Sequence, residues 1–222
     1  GLAAGFLLIG IPYIFTQVPL MLVDEPTMFF LMLSLFTFIK ALKHGGVWLF
    51  FSSLSIFLAV FSKYSTWLML SVLFVIFMIC RRPVSAQSEF SAGRKENSFH
   101  RLSLIALISC LLIGVVLIYK FDVFSEQIRL LITYQGPGMR RWNESFISTF
   151  FFQIHPFITI SAAYSLYLAF KKRDLRYVII SYLVILIFLI QIERIRYTII
   201  IFPMLALMAS YGLQKIRTEE LR

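Results

Sequence analysis

Along this chain, long apolar runs alternate with short polar turns, and their lengths predict helices that cross a lipid bilayer. A spanning helix needs about 20 apolar residues, within a range of roughly 17–25. Runs near that length cover 1–22, 26–39, 47–61, 64–80, 102–119, 146–170, 177–192 and 197–213. They predict an all-α fold, a polytopic membrane helix bundle of about eight transmembrane helices. The stretch from Val47 to Cys80 has 34 residues. At 1.5 Å each it would reach ~50 Å, against a ~30 Å hydrocarbon core, so it must be two helices. Several runs fall short of the nominal length, which fits helices buried in protein or ending below the interface. The pattern holds no internal repeat and no soluble globular region, so 1–222 is read as a single transmembrane domain.

Two connections are long. The stretch 82–100 is rich in Ser and charge and reads as a solvated, flexible cytoplasmic loop. The outer stretch 120–145 mixes Asp122, Glu126 and Arg129 with the turn signal Gly136-Pro137-Gly138. Within it, Val123, Ile128, Leu131 and Ile132 have helical spacing. That spacing suits an amphipathic helix lying on the membrane, with an ordinary connecting loop as the alternative.

Composition sharpens the class. Hydrophobic residues make up 59% of the chain and charged residues 14%, with 24 Phe. Mean hydropathy is +0.85. Soluble domains run about half apolar and a quarter charged, so these values exclude a soluble globular enzyme and a disordered chain. Cys80 and Cys110 sit in apolar runs and imply neither a disulfide framework nor a metal cluster. A net charge of +10 raises nucleic acid as a partner. The positive residues cluster at the ends of apolar runs, however, which points to membrane topology and to no nucleic acid.

With the Lys40/Lys43 turn placed inside, alternation puts Lys40, Lys43, Arg81, Arg82, Arg94, Lys95, Arg101, Lys171, Lys172, Arg173, Arg176, Lys215, Arg217 and Arg222 inside, 14 of 21. Lys63, Lys120, Arg129, Arg140, Arg141, Arg194 and Arg196 fall outside, the other 7. That bias predicts a multi-pass integral membrane protein with both ends of this chain inside. The chain opens at Gly1 within an apolar run, without the features of a signal peptide, and is read as a fragment lacking its N-terminal part.

Polar groups near bilayer depth are costly and are functional candidates by default. Four clusters qualify, all on the outer side. Asp24-Glu25-Pro26 opens the second run. Pro26 suits a first helical turn, so Asp24 is either a helix cap or a site carboxylate. Ser62-Lys63-Tyr64-Ser65 joins two short runs, placing Lys63 somewhat below the interface, where it either snorkels or meets a partner. Glu193-Arg194-Ile195-Arg196-Tyr197 also joins short runs. Its two guanidiniums suit a phosphate; an ion pair with Glu193 is the plainer reading. His155-Pro156 reads first as a kink. Together these clusters suit an outward cavity for a lipid-linked anion, such as a phosphate on an isoprenoid chain. The sequon Asn143-Glu144-Ser145 adds little, because such tripeptides arise by chance.

Three motifs in order resemble a known family. They are Ile11-Pro12-Tyr13 leading to Asp24-Glu25-Pro26-Thr27-Met28-Phe29-Phe30, then Ala59-Val60-Phe61-Ser62-Lys63-Tyr64, then Arg196-Tyr197 running to Pro203 and closed by Ala209-Ser210-Tyr211-Gly212. They resemble the polytopic C-type glycosyltransferases: the dolichyl-phosphate-mannose protein mannosyltransferases and the bacterial lipid A aminoarabinose transferase. The resemblance implies a hexosyl- or pentosyltransferase moving a sugar from a polyprenyl-phosphate donor to a protein or lipid acceptor on the extracytoplasmic face. It would work in the cell membrane, or the endoplasmic reticulum of a eukaryote, among membrane lipids, with no cofactor and no metal site assigned, as a metal-independent or weakly metal-linked enzyme. Asp24 and Glu25 take the catalytic positions, while Lys63, Tyr64, Arg194, Arg196 and Tyr197 match carrier-phosphate positions. In that family the principal acid lies in the first outer loop, which would precede Gly1; Asp24 matches the second outer acidic position. The alternatives are a transporter or flippase of an anionic lipid, and a membrane scaffold without chemistry. The first predicts polar groups continuing to the inner side, where the runs are mainly Leu, Ile, Phe and Ser.

The charge split generates a topology test. Cysteines introduced as Ser91→Cys and Gln135→Cys are expected to label from opposite sides of intact cells. Equal labelling of both from outside would refute the topology.

Overall fold

The computed structural model describes residues 1–17, 24–63, 65–81, 91–130, 132–133, 148–172, 177–190 and 198–220. Among them every regular element is helical: α1 (Leu2–Ile9), α2 (Pro12–Gln17), α3 (Asp24–His44), α4 (Val47–Ser62), α5 (Ser65–Met69), α6 (Ser71–Arg81), α7 (Ser91–Tyr119), α8 (Phe121–Leu130), α9 (Pro156–Lys172), α10 (Tyr177–Ile190) and α11 (Phe202–Glu220). A π-helical turn covers Ser148–Gln153 and a 3-10 turn covers Ile199–Ile201. The helices form two compact units, Gly1–Met28 with Trp142–Arg222, and Phe29–Arg141.

Most helix boundaries follow local chemistry. The first apolar run is broken at Gly10 and Pro12 into α1 and α2. The 47–80 stretch divides at Lys63, whose backbone is extended (φ −163°, ψ 139°), as its length demanded. It breaks again at Leu70, between α5 and α6. Two elements outrun the sequence pattern. Helix α3 continues past the apolar run to His44, because Ala41 and Leu42 are buried and Lys43 and His44 suit the negative end of the helix dipole. Helix α7 begins at Ser91, inside the stretch read as a loop, since Ala92, Arg94, Lys95 and Glu96 are good helix formers. The remainder of that loop, 82–90, lies outside the described residues. Helix α8 forms where amphipathic spacing pointed.

Two helical stretches are long and apolar enough to cross a membrane: Asp24–His44 (21 residues) and Ser98–Tyr119 (22 residues). At 1.5 Å per residue each spans a little over ~30 Å, about one hydrocarbon core. Only 11% of the apolar window in Ser98–Tyr119 is buried. Leu107, Leu111, Val115 and Ile118 line one of its faces, all exposed. Contiguous apolar surface of that kind marks membrane or partner contact. The helices Val47–Ser62, Tyr177–Ile190 and Ile199–Gln214 are apolar but shorter, as is Thr66–Cys80.

Within the first unit, α9 and α1 pack on α11, as does α10. The face of α9 made by Ile158, Ser161, Ala162, Ser165 and Leu168 is buried, and so is the face of α11 made by Phe202, Leu205, Ala209 and Gly212. A Cβ on Gly212 would lie 2.5 Å from the Ser161 carbonyl oxygen and 3.2 Å from Ser165 Cβ. Ser161 and Ser165 are one turn apart, so two small side chains and a glycine bring the backbones together. Ser165 Oγ donates to the Ala162 carbonyl at 2.7 Å. Its single proton is thereby used, so the hydroxyl of Tyr177 at the start of α10 must be the donor in the Tyr177–Ser165 bond. Tyr177 also packs on Tyr211 of α11, with ring centroids 5.4 Å apart.

Within the second unit, α4 packs along α7. Thr37 Oγ1 and Ser55 Oγ are 2.7 Å apart, joining α3 to α4. Ser53 Oγ reaches the Ile105 carbonyl of α7 at 3.2 Å as well as the Leu49 carbonyl of its own helix at 3.0 Å. Arg101 of α7 donates to the Leu42 carbonyl in the last turn of α3 at 2.7 Å. Its guanidinium lies against Gly45 (φ +68°), which reverses the chain between α3 and α4.

Gly212→Val is expected to destabilise the folded chain by at least ~2 kcal/mol, since the backbone of α9 must move to admit it. Thermal unfolding in detergent reads this. Gly5→Val, where a Cβ meets nothing within 4 Å, serves as the control. Equal midpoints for the two variants would show that the helices do not need this close approach.

Candidate functional site

The acidic cluster is placed by the start of α3. Asp24 and Glu25 occupy its first turn, where the helix dipole favours negative charge by roughly 0.3–1 kcal/mol each. Pro26 lies in the same turn and loses nothing there, because the first N–H groups of a helix have no intrahelical partner. Asp24 and Thr27 are buried. Glu25 is half-buried, and its Oε1 is enclosed without a hydrogen-bond partner among the described residues. Leaving such an oxygen unpaired costs about 1–3 kcal/mol, more than the dipole returns.

The Lys63 turn is built by its neighbours. Lys63 ends α4, and its carbonyl accepts the Thr66 N–H at 3.1 Å and the Thr66 hydroxyl. Ser62 Oγ donates to the Ala59 carbonyl at 2.8 Å, and Trp67 Nε1 donates to the Val60 carbonyl at 2.8 Å. The last turn of α4 thus returns its free carbonyls to side chains of the hairpin itself. The Lys63 side chain is half-buried. Trp67 stacks on Phe124 of α8, with centroids 5.7 Å apart, which ties the hairpin to the amphipathic helix.

Of the carrier-phosphate candidates, Tyr64, Arg194, Arg196 and Tyr197 lie outside the described residues, with Glu193 and Ile195. Asp24 and Glu25 belong to the first unit and Lys63 to the second. The acidic cluster and the Lys63 turn are thus defined separately, each by its own helix end.

His155 takes part in the backbone turn that precedes α9. It has φ 111°, the left-handed side of conformational space, between the π-helical turn and Pro156. Its Nδ1 accepts the Phe157 N–H at 3.3 Å, which caps the start of α9. Thr159 ties the turn down by donating its hydroxyl to the Phe150 carbonyl, and Phe150 stacks on Phe188 of α10 at 4.9 Å. Gln153 Oε1, in the π-helical turn, is enclosed without a partner among the described residues. The sequence reading passed over Gln153; a glutamine flanked by Phe and Ile in an apolar run was its signal.

Comparison of the chain with protein-family models, curated proteins and solved structures finds no match.

Glu25→Gln is expected to leave the unfolding midpoint unchanged or to raise it, because the enclosed Oε1 has no hydrogen-bond partner among the described residues for the substitution to remove. A loss of more than ~1 kcal/mol would instead show that the carboxylate is structural.

Proposed function

We propose that this protein is a multi-pass membrane glycosyltransferase, which moves a sugar from a polyprenyl-phosphate donor to a hydroxyl acceptor at the extracytoplasmic membrane face. The observation that carries the reading is the acidic start of α3. Two carboxylates sit in the first turn of a helix long enough to cross a membrane, one buried and the other with an enclosed oxygen that has no partner among the described residues. Carboxylates enclosed at the end of a helix of spanning length are functional candidates by default. The resemblance of the Asp24, Lys63 and Arg196 motifs to the polytopic C-type transferases supplies the reaction.

In that reaction the acceptor oxygen attacks the anomeric carbon of the donor sugar. The bond from that carbon to the phosphate oxygen breaks, and the polyprenyl phosphate leaves with the electron pair. Asp24 takes or orients the acceptor proton, with Glu25 beside it. Lys63, Arg194 and Arg196, with the hydroxyls of Tyr64 and Tyr197, stabilise the charge that develops on the phosphate. Exposed apolar helix faces such as that of α7 leave room for an isoprenoid chain alongside the bundle.

Membranes carrying the intact protein and a radiolabelled polyprenyl-phosphate sugar measure both steps. Asp24→Asn is expected to lower turnover by about 10²-fold or more, within the usual reach of general acid–base catalysis, with donor binding largely kept. Arg196→Ala is expected to weaken donor binding. Full transfer by the double variant would overturn the assignment.

A further inference from the structure

At the end of the second unit where α3 turns into α4, cations and aromatic rings form a surface that the proposed transfer does not use. Lys40, Lys43 and His44 follow one another at i, i+3 and i+4, so they share one face of the last turn of α3. Lys43 and His44 are exposed and Lys40 is half-buried. The Lys40 ammonium lies 5.7 Å from the Phe36 ring centroid and 5.9 Å from that of Trp48. Phe36 and Trp48 meet edge to face at 6.0 Å, and Trp48 continues to Phe51 at 6.3 Å. The aromatic strip therefore begins under the cation and runs along α4.

Ordinary helix chemistry does not use up this charge. The C-terminal dipole of α3 favours cations, but Arg101 already supplies one, bonded to the Leu42 carbonyl. Neighbouring like charges on a helix cost a few tenths of a kcal/mol per pair. Neither Lys40 nor Lys43 has a carboxylate partner among the described residues, and the Trp48 indole N–H makes no hydrogen bond there. The surface thus offers two ammonium groups and one neutral donor, all suited to phosphate oxygens. Immediately beside it, Val47, Phe50 and Phe51 are exposed. A free phosphate or a nucleotide would gain nothing from them, whereas acyl chains would cover them.

We infer that the Lys40–Trp48 surface binds the phosphodiester headgroup of an anionic glycerophospholipid, with its acyl chains along α4. Lys40 is held at the headgroup by its aromatic shoulder, Lys43 adds the second charge, and Trp48 donates its indole N–H. Arg101 is a positioning residue, because it holds the α3–α4 turn through Leu42 and Gly45. The inference needs the helices to lie in a bilayer and is independent of glycosyl transfer.

The test uses the full chain with Trp67→Phe and Trp142→Phe, which leaves Trp48 as its one tryptophan. The protein is reconstituted into vesicles in which either phosphatidylglycerol or phosphatidylcholine carries brominated acyl chains. Flotation with phosphatidylcholine vesicles checks insertion separately. Quenching of Trp48 is expected to show a preference for phosphatidylglycerol of about fivefold or more, the gain usual for one basic residue near an anionic surface. High salt should reduce that preference. The double variant Lys40→Gln, Lys43→Gln should bring it close to one, while Lys120→Gln should leave it intact. Equal quenching by the two lipids, a preference that survives the double variant, or failure to float would each overturn the inference. If the tryptophan background does not reconstitute, native mass spectrometry gives the same decision. The unsubstituted chain should then retain phosphatidylglycerol that the double lysine variant loses.

Discussion

The contacts on which the packing of the described helices depends are places where two backbones come close, each lined by small or hydroxyl side chains. Ser161 and Ser165 admit Gly212, and Ser53 reaches across to the Ile105 carbonyl. Thr37 meets Ser55 in the same way. Each such bond is worth only about 0.6 kcal/mol on average, with ~1.7 near the upper end. Their effect comes from position as much as energy. A serine occupies little volume, and its hydroxyl can return to its own helix, as Ser55 does to the Phe51 carbonyl at 2.8 Å. The helix surface is then small, polar-satisfied and close-packing at once.

The same economy governs the ends of the helices. The last carbonyls of α4 are answered by Ser62 and Trp67, with Thr66 serving Lys63, and the Leu42 carbonyl of α3 by Arg101. His155 caps the start of α9 from a left-handed backbone conformation. A strained φ at one residue costs about 1–3 kcal/mol, and the cap that His155 supplies to the Phe157 N–H offsets part of it. Against that background the exceptions stand out. Glu25, Gln153, Ser52 and Ser109 keep enclosed side-chain oxygens without partners among the described residues. A hydroxyl orphan such as Ser52 is the cheaper kind. An enclosed carboxylate oxygen is the most expensive, which is why the start of α3 carries the functional reading.

Much of the local architecture was legible in the residue pattern. The division near Lys63 and a kink at His155-Pro156 follow from length and proline, while spacing left the outer stretch open between a helix and a loop until the structure formed α8 there. The pattern was less informative at helix ends. It stopped α3 early because Lys40 interrupts the apolar run, whereas the helix needs only compatible residues, not apolar ones, to add a turn. It likewise read 91–100 as linker because a polar helix and a polar loop share a composition. For the candidate site, the sequence singled out Asp24, Glu25 and Lys63 from their cost near a membrane; Gln153 escaped because a single amide carries no charge.

The sequence by itself determined that the chain is helical and strongly apolar, and where most helices begin and break, because those depend on neighbours within about one turn. Only the tertiary structure decided which serines matter. Ser52 and Ser53 are adjacent and alike in any pattern, yet the Ser53 hydroxyl bonds to α7 and the Ser52 hydroxyl has no partner among the described residues. Gly212 could equally have been a loose spot in α11; it is a contact point because the Ser161 carbonyl lies over it. Arg101 and Leu42 are 59 residues apart, and no periodicity links them. Such pairings depend on the rotation and crossing of whole helices. Those are set by the summed shape of many side chains, and residue spacing along one helix does not encode them.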